Sequence, residues 1–174
     1  MKNLLQISEI SLLLDSYDDI FSDFDPRSYA QRSLSVDFLR EAERASKDKD
    51  DFDLNLLIPK KLRSAPKERM IRKRLKTHFK KHAQKIEQKY KKMLTHGALF
   101  TFTGIACMLG AVYILHTLQP TTLFQNFMLV LLEPGGWFLF WEGLNIILFE
   151  SKKIKPELDF YNKMHRCIIN FLDY

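Results

Sequence analysis

The residues best placed to do chemistry are two acids in an apolar setting. Glu133 and Glu142 are the only Asp, Glu, Lys or Arg between Lys92 and Glu150, within a stretch apolar enough to cross a bilayer. An ionised carboxylate near the centre of a membrane costs roughly 2.5–3.5 kcal/mol, so such groups face protein or water or carry a proton. Candidate polar neighbours are few. In an antiparallel hairpin Glu142 is level with Thr101, Thr103 and Gly104, Glu133 lies toward Tyr113 and His116, and Asn145 adds a carboxamide. Nine residues separate the acids, about 900° of helix, so in a straight helix they face opposite ways. Pro134, Gly135 and Gly136 lie between them and can bend or unwind the helix, changing that phase. Two readings follow: hydrogen bonds to neighbouring helices that fix an assembly, or a polar seam that carries ions or protons.

Other clusters are weaker. Asp15, Asp18, Asp19, Asp23 and Asp25 offer the carboxylates a hard cation wants, but an EF-hand's turn glycine and closing bidentate Glu are missing. These residues read better as turn caps and as partners of Arg27, Arg32 and the basic segment that follows. His78 and His82 share a helical face without an HExxH or a cysteine pair, so no metal or other cofactor is expected. No Ser/His/Asp order, Walker loop or GxGxxG is present, and the chain is not expected to be an enzyme.

The elements that must position Glu133 and Glu142 are two apolar segments, 97–118 and 127–149. At 1.5 Å per residue, each spans roughly 30 Å of hydrocarbon. Gln119, Pro120, Thr121 and Thr122 provide the break between them. Charge is distributed unevenly: 7 basic and 13 acidic residues in 1–59, 15 and 2 in 60–95, none and 2 in 96–149, 5 and 4 in 150–174. Basic residues thus flank both spans on one side while the connecting turn is uncharged, which places both termini in the cytoplasm and the protein in an inner membrane. Residues 1–14 lack a signal peptide's unbroken apolar run and cleavage site. Cys107 and Cys167 fit a reducing compartment rather than a disulfide framework.

Four segments follow from this reading: an acidic α+β part at 1–59, a basic juxtamembrane helix at 60–96, a transmembrane hairpin at 97–149, and an amphipathic tail helix at 150–174. In the first, Ile10, Leu12 and Leu14 alternate with polar residues as in a strand, although Leu13 blurs the pattern; Phe52, Leu54, Leu56 and Ile58 mark a second strand ending at Pro59. Ser35 caps a helix beginning at Val36. The two strands can pair but need a helix or another copy of the chain as cover.

A long helix is expected from Ser64, with Pro66 in its first turn, to about Thr95, flowing into the first span without a Gly or Pro between Glu68 and His96. Ile71, Leu75, Phe79, His82, Ile86, Tyr90 and Met93 form a narrow stripe along it, and the tail residues Leu158, Tyr161, Met164, Ile168, Phe171 and Leu172 supply a matching face. Lys85, Lys89, Lys91 and Lys92 before the first span, and Lys152 and Lys153 after the second, are placed to meet anionic lipid headgroups; nucleic acid is a weaker match. Two helices alone cannot shield acids on opposite faces, so a homo-oligomer is expected, with Ala106 and Gly110, Thr103 and Cys107, and Gly136 and Gly143 as close-approach surfaces.

The motifs LDSYDDIFSDFDPR at 14–27 and EPGGWFLFWEGL at 133–144, together with RSLSVDFL at 32–39, resemble a family of small uncharacterised prokaryotic proteins with two transmembrane helices. The resemblance implies the two-span architecture and no activity. The expected protein is therefore a mainly α membrane protein: a transmembrane hairpin, a small cytoplasmic α+β region and a long basic helix leading into the first span. Its expected role is an oligomeric scaffold or partner-binding module with an unidentified cytoplasmic protein partner. A small oligomeric ion channel or membrane-perturbing effector, gated through the segment from Glu133 to Glu142, is the alternative.

Overall fold

The computed structural model describes residues 8–49, 51–118 and 122–174. The expected break at 119–122 lies outside these residues except for Thr122, as does the part of the N-terminal segment before Ser8. The elements are β1 (Ser8–Leu13), α1 (Val36–Ser46), β2 (Phe52–Ile58), α2 (Ala65–Tyr113), α3 (Leu123–Asn145), α4 (Ser151–Arg166) and β3 (Ile169–Asp173). Single 3-10 turns occupy Tyr17–Ile20 and Lys60–Leu62, and five-residue π-helical segments occupy Ile114–Leu118 and Ile146–Glu150. The protein is mainly helical, and two of its helices are long and apolar enough to cross a membrane.

The chain forms two compact units, Met1–Lys85 with Glu157–Tyr174, and Ile86–Pro156. The compact units cut across the expected segments rather than following their limits at 59, 96 and 149. The acidic part, the first turns of the basic helix and the C-terminal residues share one core, because each alone has an apolar face with nothing to bury it.

In the first unit, three strands form a parallel sheet in the order β1-β2-β3. Parallel pairing requires a crossover, and α1 supplies it between β1 and β2. The Ser35 hydroxyl accepts from Phe38 N at 3.5 Å, so the cap read from the sequence is present. Register aligns Ile10 with Leu54 and Ile169, and Leu12 with Leu56 and Phe171. All six are buried in one core with Phe38 and Ala42 of α1, Ile71, Leu75 and Phe79 of α2, and Phe160 and Met164 of α4. Leu13, which blurs the alternation, points to the other face and is 64% exposed. On that face Asn55 donates to Glu9 at 3.1 Å and accepts from Asn170 at 3.2 Å, a polar bridge across all three strands.

The tail departs from expectation. It is helical only to Arg166 and then turns into β3, so Phe171 reaches the core from a strand while Ile168 and Leu172 are exposed. The turn is held from α2. Lys76 Nζ donates to the carbonyls of His165, at 2.8 Å, and Cys167, and Arg72 Nε donates to Ile169 O at 2.8 Å. Lys76 thereby satisfies carbonyls that a helix C-terminus leaves open, and Arg72 holds the first carbonyl of β3. The helical part of the tail does cover the stripe on α2: Phe160 meets Phe79 edge-on with ring centres 6.3 Å apart, and Tyr161 stacks on His82 at 5.3 Å.

A buried polar knot ties the loop after β1 to the start of α2. Tyr17 Oη donates to Glu68 at 2.9 Å and accepts from Ser64 N at 3.0 Å, Arg63 pairs with Glu68 at 2.5 Å, and Arg63 also reaches Asp173 at 3.6 Å. Burial works to raise the Glu68 pKa, but the hydrogen bonds from Arg63 and Tyr17 outweigh it and hold the carboxyl below its usual range.

α2 continues through Gly97 to Tyr113, 49 residues without interruption. The basic helix and the first span are therefore one element, as the absence of a breaker before His96 implies. α3 begins at Thr122, whose hydroxyl accepts from Gln125 N at 3.4 Å while the Gln125 carboxamide accepts from Thr122 N at 3.3 Å.

Candidate functional site

The site is built on α3, which stays helical through Pro134, Gly135 and Gly136. Pro134 has no N–H to offer the carbonyl of Val130, yet the helix does not unwind. The half-turn offset between Glu133 and Glu142 therefore stands: Glu133 is exposed, and Glu142 is half-buried on another face.

Glycines decide how α3 meets α2 within the second unit. A Cβ at Gly104 would lie 2.4 Å from Phe140 N and 2.6 Å from Gly136 O, and one at Gly143 would lie 2.5 Å from Thr101 N and 2.6 Å from Gly97 O. Such distances involve backbone and cannot be relieved by turning a side chain. Gly97 and Gly104, seven residues apart on α2, face Gly143 and Gly136, also seven apart on α3, and the buried Ala111 continues the seven-residue spacing on α2. Gly136 and Gly143 are thus consumed inside the hairpin, which corrects their assignment to self-association. Of the other small residues expected in that role, Cys107 contacts Gly136, whereas a Cβ added at Gly110 would meet nothing within 4 Å, and Ala106 and Thr103 are exposed.

The expected register holds, since Gly143 lies against Thr101, but the expected bond does not form. Thr101 Oγ1 donates to Gly97 O of its own helix at 2.9 Å, leaving no proton for Glu142. Among the described residues neither Glu133 nor Glu142 has a side-chain hydrogen bond or ion pair, and His116 does not reach Glu133. Glu142 and Asn145 instead border a groove of about 390 Å³ with Trp137, Phe138, Trp141 and Phe149. The two indole rings lie 5.8 Å apart.

The remaining candidates resolve differently. Asp19 accepts from the backbone of Asp15 at 2.7 Å and Ser16 at 3.0 Å; Asp18 accepts from Tyr29 at 3.1 Å and Arg32 at 2.5 Å; Asp23 lies 3.8 Å from Arg32. Asp25 takes Arg27 at 2.7 Å and Ser33 N at 2.7 Å, and the Arg27 hydrogen bond holds its carboxyl far below the carboxylate range. The acids cap and clamp their own loop, and among the described residues no three His, Cys, Asp or Glu come together as a metal would need. His78 and His82 stack at 4.2 Å beside Tyr161, and burial, aided by His82 and Arg74, pushes His78 down to about 4. Its Nε2 is buried without a partner among the described residues. Lys85, Lys89, Lys91, Lys92, Lys152 and Lys153 are all exposed, with Lys91 paired to Glu87 at 2.8 Å and Lys153 to Glu150.

Sequence reasoning missed Gly97 and Gly104 as packing residues and the whole Tyr17–Glu68–Arg63 knot. The seven-residue recurrence of small residues was the available signal for the first. Nothing in the spacing announces the second, whose Tyr17 and Glu68 are 51 residues apart. Comparison with protein-family models, curated proteins and solved structures finds no match for this chain, so a functional reading rests on its own residues.

Proposed function

We propose that the protein is a two-pass inner-membrane protein with both termini in the cytoplasm, acting as an oligomeric scaffold or partner-binding module. The supporting observation is Glu142, a half-buried carboxylate on an apolar helix, bordering a groove and unpaired among the described residues. In hydrocarbon such a group needs a partner, and self-association supplies one. The three-stranded sheet unit would serve as the cytoplasmic binding part, and Lys85, Lys89, Lys91, Lys92, Lys152 and Lys153 would hold anionic headgroups.

The test is one substitution read twice. In a scaffold, Glu142→Gln keeps size and hydrogen-bonding capacity, so the detergent-solubilised mass is unchanged and proteoliposomes of wild type pass no ions. Wild-type flux that Glu142→Gln abolishes would instead establish the channel alternative. Tags at residues 1 and 174 are accessible from the same, cytoplasmic side; ends on opposite sides would overturn the hairpin.

A further inference from the structure

Resting on the oligomeric reading just given, we infer that α3 carries a two-fold interface with a second copy of this chain, in which Glu142 of each protomer takes Asn145 of its partner. On α3, the glycine face at Gly136 and Gly143 is used within the hairpin. At about 100° per residue, Phe138, Glu142 and Asn145 fall on a face roughly 140° away from those glycines. Their spacing of four and three residues is the pattern of a helix-pairing seam.

The occupant follows from the chemistry of that seam. A carboxylate offers two acceptor oxygens and a carboxamide two N–H donors, and here they sit one helical turn apart on the same face. Around a two-fold axis each residue finds its complement on the other copy, so one patch satisfies itself. Hydrocarbon tails offer no donor for Glu142, and among the described residues nothing in the chain does. Phe138, Trp141 and Phe149, each more than half exposed, frame the groove and would keep water from these hydrogen bonds.

Sedimentation equilibrium of the full-length protein in detergent tests this. Wild type is expected to be a reversible dimer. Glu142→Leu alone removes the acceptor and Asn145→Glu alone sets carboxylate against carboxylate, and each should weaken association by about tenfold, in line with roughly 0.6–1.7 kcal/mol for an interhelical hydrogen bond counted twice by symmetry. The double variant E142N/N145E inverts the pair and should return to within about threefold of wild type. A dimer that responds to neither single variant, or a double variant no better than the singles, would overturn this seam while leaving the oligomeric reading intact. A wild type monomeric at every detergent-to-protein ratio would overturn that reading itself and leave the groove to a different partner.

Discussion

The two units solve the same problem, a surplus of apolar surface with some polar groups among it, in opposite ways. In Met1–Lys85 with Glu157–Tyr174, three strands and parts of three helices bury their apolar faces in one core, and Glu68 and Asn55 each have named partners. In Ile86–Pro156, Phe102, Leu109, Phe127, Val130, Trp137 and Phe138 are all more than half exposed, and both acids at 133 and 142 lack partners among the described residues. Its glycine seam brings the two helices to backbone contact. The first unit buries its apolar faces against one another, whereas the second leaves many large apolar side chains exposed.

The comparison breaks most sharply at Glu68, where removing one member of a buried pair strands the others. Glu68→Ala leaves Arg63 and Tyr17 without their acceptor and should cost about 3 kcal/mol, read as faster amide exchange along β2. In the second unit the equivalent damage comes from volume rather than charge. Gly104→Ala drives a Cβ onto backbone at 2.4 Å, so a loss of about 1–3 kcal/mol in thermal unfolding in detergent is expected. Gly135→Ala meets nothing within 4 Å and should be neutral or stabilising by up to about 1 kcal/mol. Equal effects at the two glycines would mean that the hairpin does not pack through Gly104.

These positions also show what could be read from the sequence. α1 was legible because its signal is local: Ser35, one turn of helix, and a backbone N–H three residues on. β2 was legible because its alternation is confined to seven residues. β3 was not, since Ile168, Phe171 and Leu172 also fit helical spacing from Tyr161, and no Gly or Pro follows Arg166. What ends α4 is Lys76, some 90 residues earlier in the chain, and the edge of β2 then receives the strand. At the candidate site the sequence shows which residues are chemically costly but not which face each occupies. Spacing ranges Glu142 with Thr101, yet the hydroxyl's own-helix bond, decided by one rotamer, leaves the carboxylate open.

Acid should distinguish the units again, at smaller magnitude. His78 titrates at about 4 in the folded protein because burial, then His82 and Arg74, disfavour its charge, against about 6.5 when unfolded. His82 and His165 are lowered for the same first reason, with Glu157 partly opposing the shift at His82. Between those values the unfolded chain binds more protons, so stability is full above about pH 6.5 and falls as pH drops toward 4. His78 is only partly buried, so solvent screening reduces the full linkage effect, and going from pH 7 to pH 5 should destabilise the first unit by about 1 kcal/mol; His78→Leu should flatten that slope in urea titrations of the sheet unit's exchange protection. A slope unchanged by His78→Leu would move the effect to other groups.

The smallest effect on stability carries the most information about surroundings. Glu87 and Glu68 are the only acids among the 15 basic residues of 60–95, but where Glu68 is buried, Glu87 is half exposed and pairs with Lys91 one turn on at 2.8 Å. An i,i+4 surface pair contributes only about 0.2–0.5 kcal/mol, so Glu87→Gln should leave unfolding almost unchanged. If the outer face of α2 near Lys85, Lys89, Lys91 and Lys92 meets anionic headgroups, the same substitution removes a repulsive charge and frees a lysine. Each juxtamembrane charge is worth about 1 kcal/mol, so partitioning into vesicles containing anionic lipid should strengthen by about fivefold at low salt and lose that gain at high salt. Zwitterionic vesicles serve as the control and should show no change. An increase on both vesicle types would attribute the binding to the apolar surface of the second unit, and no increase on either would place this stretch of α2 away from headgroups, leaving its lysines as solvated charge.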